Sequence, residues 1–239
     1  MMVFERKIIL CILKLSRDVG KFSIDDIAVC SGFASSLVDR VVNRLIEEGR
    51  IVSNGKKMLV VNDEERLRLA CLAVNLGCDI EKVSRLLTWK EFEVFCSNVL
   101  ESYGFKCFLN FRFKYSSGRG EIDILGLRRP FILCLDAKHW GVRLGKTSGL
   151  RNAVKKHVKR VEFFGGVLNK YLLNLGIEDW GECVLVPLLV TLFQERIIFD
   201  SSVPVVPVFK LNSFLMDFDG YLDELCVYKF SLPRQRKII

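Results

Sequence analysis

Gly120-Glu121-Ile122-Asp123-Ile124-Leu125 and Phe131-Ile132-Leu133-Cys134-Leu135-Asp136-Ala137-Lys138 read as two strands of one hairpin that turns at Arg129-Pro130. Both runs are rich in Ile, Leu and Phe and are bounded by Gly or Pro, the signature of strands rather than of an amphipathic helix. Side chains alternate along a strand, so Asp136 and Lys138 share one face. A turn centred on Arg129 and Pro130 sets Asp123 opposite Asp136, and two carboxylates and an ammonium then converge. Such a cluster in apolar strands costs repulsion and desolvation unless a cation compensates. Mg²⁺ suits it, because that ion takes oxygen ligands and keeps several waters; Asp123, Asp136 and the carbonyl of Ala137 form the expected ligand set, with Mn²⁺ as a substitute. An ion pair of Asp136 with Lys138, unrelated to Asp123, would use the same residues for structure alone.

Around this hairpin the chain from Thr88 onward alternates helix and strand, with strands expected near 106–115, 121–128, 131–138, 183–192 and 204–209. The alternation gives a mixed α/β or α+β domain, and the expected fold class is mixed α/β. Thr88-Trp-Lys-Glu91-Phe92-Glu93 opens a helix whose stripe is Phe92, Phe95, Cys96, Val99, Leu100 and Tyr103. Glu91 stands three after Thr88 and fits a capping box. Its loss would then cost about 1 kcal/mol or less. Glu93 has no capping role and lies at the edge of the stripe, which makes it the helix's candidate site residue.

Glu93, Asp123 and Asp136-Ala137-Lys138 together resemble the active-site signature of the PD-(D/E)XK nuclease superfamily, in the arrangement of Mrr-type restriction endonucleases and archaeal Holliday-junction resolvases. Phe92-Glu93 looks like that group's helix motif, Glu121-Ile122-Asp123 like its first metal-binding strand, and Asp136-Ala137-Lys138 like its (D/E)-x-K strand. Ile122 stands where the motif's name has Pro, and no Gln follows Lys138 at the distance usual in Mrr-type enzymes, so the resemblance is to the superfamily. It spans about 88–218 and implies a restriction-endonuclease-like mixed sheet flanked by helices. The implied activity is metal-dependent hydrolysis of DNA phosphodiesters. Asp123 and Asp136 would bind Mg²⁺, Glu93 would complete the acidic site, and Lys138 would position the nucleophile.

The first 62 residues read as helix, helix, turn, helix and hairpin, the order of a winged helix-turn-helix. Ser23 with Asp26 opens the second helix, Ser31-Gly32 breaks it, and a third runs from about Ser36 to a stop at Gly49. Asn54-Gly55 marks the hairpin of the wing. Arg40, Asn43 and Arg44 on the third helix, with Lys56 and Lys57 in the wing, are the residues expected to meet DNA. The expected division is 1–62 for this module, 63–87 for a helical connector and 88–239 for the nuclease-like domain.

The net charge is +8 over 239 residues, and between Lys138 and Lys170 nine Lys or Arg face the single acid Glu162. A helix there buries Leu150, Val154, Val158 and Val161 and leaves Arg151, Lys155, Lys156, Lys159 and Arg160 for phosphates. Nine cysteines without a C-x-x-C pair, beside only two histidines, make a structural zinc site improbable and suit buried thiols in a reducing cytoplasm. No secretion signal or membrane span is read, since the apolar run Val184–Phe193 is short and holds Pro187. The expected partner is duplex or branched DNA, and a homodimer is compatible with it. Competing readings are a DNA-binding regulator with a silent nuclease-like domain and a nuclease specific for branched DNA or structured RNA.

Overall fold

The computed structural model describes residues 2–54, 58–139 and 146–233, with the side chains of Met2, Val3, Lys146 and Thr147 left aside. The chain divides into two compact units, Met1–Phe92 and Glu93–Ile239. Lys56, Lys57 and Arg143, and the tail Arg234 to Lys237, lie outside the described residues.

The first unit holds α1 (Met2–Asp18), β1 (Lys21–Phe22), α2 (Ile24–Ser31), α3 (Ser35–Glu47), β2 (Val52–Ser53), β3 (Leu59–Val60), α4 (Asp63–Asn75) and α5 (Ile80–Ser84). Its small sheet runs β1-β3-β2, which with α2 and α3 is the winged helix-turn-helix arrangement. The sequence reading lacked β1. At two residues it carries no periodicity, and it exists because β3 offers Lys21 and Phe22 antiparallel partners in Val60 and Leu59. Local signals account for the helices. Ser23 accepts from the Asp26 amide and Asp26 from the Ser23 amide, and Gly32 ends α2 at a φ of 69°, where a side chain would be strained.

Helices α4 and α5, the expected connector, fall inside this first unit. The tie is Arg66, a buried charge in a stripe otherwise made of Leu69, Ala70 and Ala73. Its guanidinium donates to the carbonyls of Leu13 at 2.7 Å and Leu86 at 2.8 Å, to the Ser16 hydroxyl, and to Glu91 at 2.7 Å. One side chain thereby joins α1, α4 and the start of α6 (Trp89–Ser102), within which the division between units falls.

The second unit continues from α6 through β4 (Lys106–Tyr115), β5 (Gly118–Arg128), β6 (Phe131–Lys138), α7 (Lys146–Val167), α8 (Leu172–Leu175), β7 (Glu182–Thr191), β8 (Phe199–Asp200), β9 (Val203–Pro207), α9 (Leu211–Met216) and β10 (Tyr228–Ser231). The sheet order is β4-β5-β6-β7-β9-β8, with β10 also on β7. Strands β4, β5 and β6 are antiparallel neighbours, whereas β6-β7 and β7-β9 are parallel. Parallel pairing of β6 with β7 requires a crossover, and α7 with α8 provides it. Along one edge of β7, residues Glu182 to Leu185 pair with β10 and Leu189 to Thr191 with β9. Pro187, which cannot donate a ladder bond, falls in the gap between those partners.

Helices cover both faces of this sheet. On one face Val161 and Phe164 of α7, with Leu168 just beyond its end, share a core with Leu125, Leu127, Ile132, Cys134 and Leu185. On the other, α6 comes close enough that a Cβ at Gly126 would lie 2.7 Å from Leu100. The unit is a mixed sheet flanked by helices, the arrangement that the sequence resemblance implies.

Candidate active site

The β5-β6 register places the site. Ile124 pairs with Leu135 and Leu125 with Cys134, the pairing of a turn centred on Arg129-Pro130, and the paired residues end there. Beyond Ile124 the Asp123 side chain bridges the parting strands, its Oδ2 accepting the Ala137 amide at 2.9 Å. Asp136, 2% exposed, follows Cys134 on the α7 face and is gripped on both oxygens. Lys138 Nζ lies 2.6 Å from Oδ2, and Arg160 Nη1 of α7 lies 3.0 Å from Oδ1.

Glu93 of α6 is buried, and Asn110 Nδ2 donates to its Oε2 at 3.4 Å. Asn110 adopts a φ of 50° in the middle of β4. That kink shifts the alternation, so that Phe108, Phe111 and Phe113 all belong with the α7-side core. The three-residue step from Phe108 to Phe111 is its trace in the sequence.

The electrostatics separate the two aspartates. Burial and the neighbouring charge of Asp136 raise Asp123 to about 6, and Glu93 adds to the effect. Burial also works against the Asp136 carboxylate, but His157, Lys138 and Arg160 outweigh it and hold this acid below its ordinary value. His157 is fully buried on α7. Its Nε2 donates to the Cys134 carbonyl at 2.7 Å, and Nδ1 has no hydrogen-bond partner among the described residues. Burial lowers its pKa, against the Asp136 carboxylate and the Cys134 carbonyl, which favour the charged ring.

The raised Asp123 has a measurable consequence. Its carboxyl binds its proton more tightly in the folded chain than in the unfolded one, so its contribution to stability is full below the ordinary value of 3.8 and is lost as pH rises to about 6. Asp123→Asn keeps an oxygen for the Ala137 amide and removes this loss. In EDTA the variant should exceed wild type in stability by about 1–2 kcal/mol at pH 8, a figure discounted for partial exposure, with no gain at pH 3.5. Urea unfolding at the two pH values measures it, and an equal gain at both would show that titration of Asp123 is not the cause.

Asp123, Asp136, Lys138 and the Ala137 backbone thus come together, with Glu93 close enough to act on Asp123. Sequence reasoning missed Arg160, His157 and Asn110. Arg160 was expected on the solvent face with Lys155, Lys156 and Lys159; those three are exposed, but Arg160 turns inward to Asp136. His157 sits in line with Leu150, Val154, Val161 and Phe164, the i, i+3, i+4 signal that could have placed it in the core. Val158, assigned to that stripe, is only half-buried. Arg151 is exposed and lies 3.7 Å from Asp200.

In the first unit Arg40 is exposed, Asn43 donates to Asp39 at 3.1 Å, and Arg44 is engaged by Glu5 and by Glu48. Of the three, Asn43 lines an open groove that it shares with the acids Asp25 and Asp39, four serines and the apolar Ile24, Ile46 and Leu59. Of the two arginines, Arg40 is the one that makes no ion pair among the described residues.

The donor set fits a hard divalent cation in kind, being carboxylate oxygens of which one is raised by a neighbouring acid. Among the described residues no group of three His, Cys, Asp or Glu is arranged to hold a metal ion, and Asp136 is closed by two side-chain cations.

Fold and site together define a two-unit α/β protein with a winged helix-turn-helix arrangement and an acid-amine cluster where two strands of a mixed sheet part. An uncharacterized protein of Archaeoglobus fulgidus is 31% identical over 138 residues, which cover 58% of this chain and 97% of that protein, and the chain belongs to the same family. No protein-family model matches. Among solved structures, the crystal structure of protein VC1899 from Vibrio cholerae aligns with 93% of this chain at a TM-score of 0.41 and 12% identity; the alignment spans 56% of that protein's length. Among the described residues no helix is long and apolar enough to cross a membrane.

Proposed function

We propose that the chain is a metal-dependent endonuclease of the PD-(D/E)XK type that hydrolyses DNA phosphodiesters in the cytoplasm. The observation that carries this reading is the convergence of Asp123, Asp136 and Lys138 where β5 and β6 part. Asp123, Asp136 and the Ala137 carbonyl would hold Mg²⁺, with Glu93 completing the acidic set. Bound there, the ion would polarise the phosphate and make a water more acidic. Lys138 places a point charge beside the scissile group, where negative charge grows as the phosphate is attacked. The half-buried setting strengthens that charge by excluding competing water.

Substrate affinity comes from the exposed face of α7, where Arg151, Lys155, Lys156 and Lys159 can neutralise phosphates. Replacing Lys155, Lys156 and Lys159 together by Ala should flatten the salt dependence of DNA binding, lowering the slope of log K against log salt by about 2–3. Titrations across a range of KCl concentrations measure it; an unchanged slope would assign those lysines to solubility.

Incubating the protein with linear duplex, four-way junction, single-stranded DNA and structured RNA, in Mg²⁺ or EDTA, tests the function. The expected result is Mg²⁺-dependent scission of a DNA substrate that EDTA abolishes. A second reading, a DNA-binding regulator with a silent nuclease-like unit, is favoured by the closure of Asp136 by Lys138 and Arg160. Binding without cutting in any divalent cation would select it.

A further inference from the structure

We propose that Arg160 and a divalent cation exchange places on Asp136: without the cation Arg160 closes the carboxylate, and with it Arg160 is released to hold a substrate phosphate. This inference rests on the metal-dependent reading of the site. Asp136 is 2% exposed and cannot stand ionised without a positive partner, so each of its oxygens is taken, by Arg160 at 3.0 Å and by Lys138 at 2.6 Å. Arg160 is the better placed to leave, its side chain 30% exposed against 14% for Lys138.

Its backbone need not move. One turn earlier on α7, His157 Nε2 holds the Cys134 carbonyl at 2.7 Å, which anchors the helix to β6 two residues before Asp136. On release the guanidinium stays beside the exposed Lys156 and Lys159 of the same helix. Its planar, two-pronged donor geometry then matches phosphate oxygens.

The formal charges favour the exchange. Glu93, Asp123 and Asp136 set three carboxylates against the cations of Lys138 and Arg160. With a dication on Asp136 in place of Arg160 the cluster is neutral, and the released Arg160 carries the one unpaired positive charge, which a phosphodiester cancels. Cation and substrate should therefore bind with positive coupling, and that coupling should run through Arg160.

The test is calorimetric titration of Mn²⁺ into the full chain without nucleic acid, for wild type, Arg160→Gln and Arg160→Lys, with Asp136→Asn as the site control. Arg160→Gln should bind Mn²⁺ roughly tenfold more tightly than wild type because the competing charge is gone. Arg160→Lys should stay close to wild type, and Asp136→Asn should lose binding. In a parallel DNA titration, Ca²⁺ should tighten binding by wild type and should lose that effect in Arg160→Gln. Unchanged Mn²⁺ affinity in Arg160→Gln, with wild type binding the ion, would overturn the exchange and leave the nuclease reading standing. Absence of Mn²⁺ binding in every variant would overturn both.

Discussion

Glu91→Ala is expected to destabilise the protein by about 3–5 kcal/mol, the cost of leaving a buried charge without its partner. Seen only as the third residue of a capping box, Glu91 would be worth about 1 kcal/mol. The cap is present, since the Thr88 amide donates to Glu91 Oε2 at 2.6 Å. The same carboxylate also accepts Arg66 Nε at 2.7 Å, and the two side chains are 7% and 3% exposed. Arg66 cannot shed its proton, so without Glu91 its charge faces only the Leu13 and Leu86 carbonyls and the Ser16 hydroxyl. Burial opposes ionisation of Glu91, but Arg66 and the Thr88 amide overcome it and lower its pKa. This contribution to stability is therefore present above the unfolded value and is lost as pH falls through the folded one. Urea unfolding at neutral pH checks the magnitude. Arg66→Met with Glu91→Leu should recover most of the loss, because the pair is then removed rather than broken. A loss of 1 kcal/mol or less for Glu91→Ala would mean that the ion pair contributes nothing beyond the cap.

What could be read in advance was local. The register of β5 on β6, from Ile124-Leu135 to Arg128-Phe131, follows from a turn centred on Arg129-Pro130, and it leaves Asp123 and Asp136 just beyond the last pair. The Ser23-Asp26 box and the Gly32 stop lie within four residues of the backbone groups they satisfy. Arg66 and Arg160 could not be read this way, because each is defined by a partner far along the chain, Glu91 for Arg66 and Asp136 for Arg160; for His157 the spacing marks the core but not its partner, the Cys134 carbonyl. A basic residue beside an apolar stripe looks the same in sequence whether it points to solvent or to a carboxylate on the next element. Asn110 shows a further limit, since its kink left only a slip in the alternation of β4. Strand β10 was missed because Tyr228–Ser231 is short and half exposed, and it is a strand only because the first half of β7 offers an open edge.

The second large effect concerns chemistry rather than stability. Lys138→Ala and Asp136→Asn are each expected to slow Mg²⁺-dependent cleavage by roughly 10³-fold, equivalent to about 4 kcal/mol at the transition state. Asp136→Asn retains the shape of a carboxylate gripped by Lys138 and Arg160 while removing its charge. Lys138→Ala removes a half-buried amine whose companion Arg160 still compensates Asp136. DNA binding should survive in both, because affinity is spread over Arg151, Lys155, Lys156 and Lys159.

The most direct measurement is therefore single-turnover cleavage of end-labelled duplex and four-way junction by wild type and Lys138→Ala, in Mg²⁺ and at protein concentrations giving equal occupancy. The account predicts scission by wild type, its loss in EDTA, and a rate lower by about three orders of magnitude for Lys138→Ala at unchanged affinity. Wild-type protein that occupies these substrates and cuts none of them with any divalent cation, or Lys138→Ala that cuts at the wild-type rate, would contradict it.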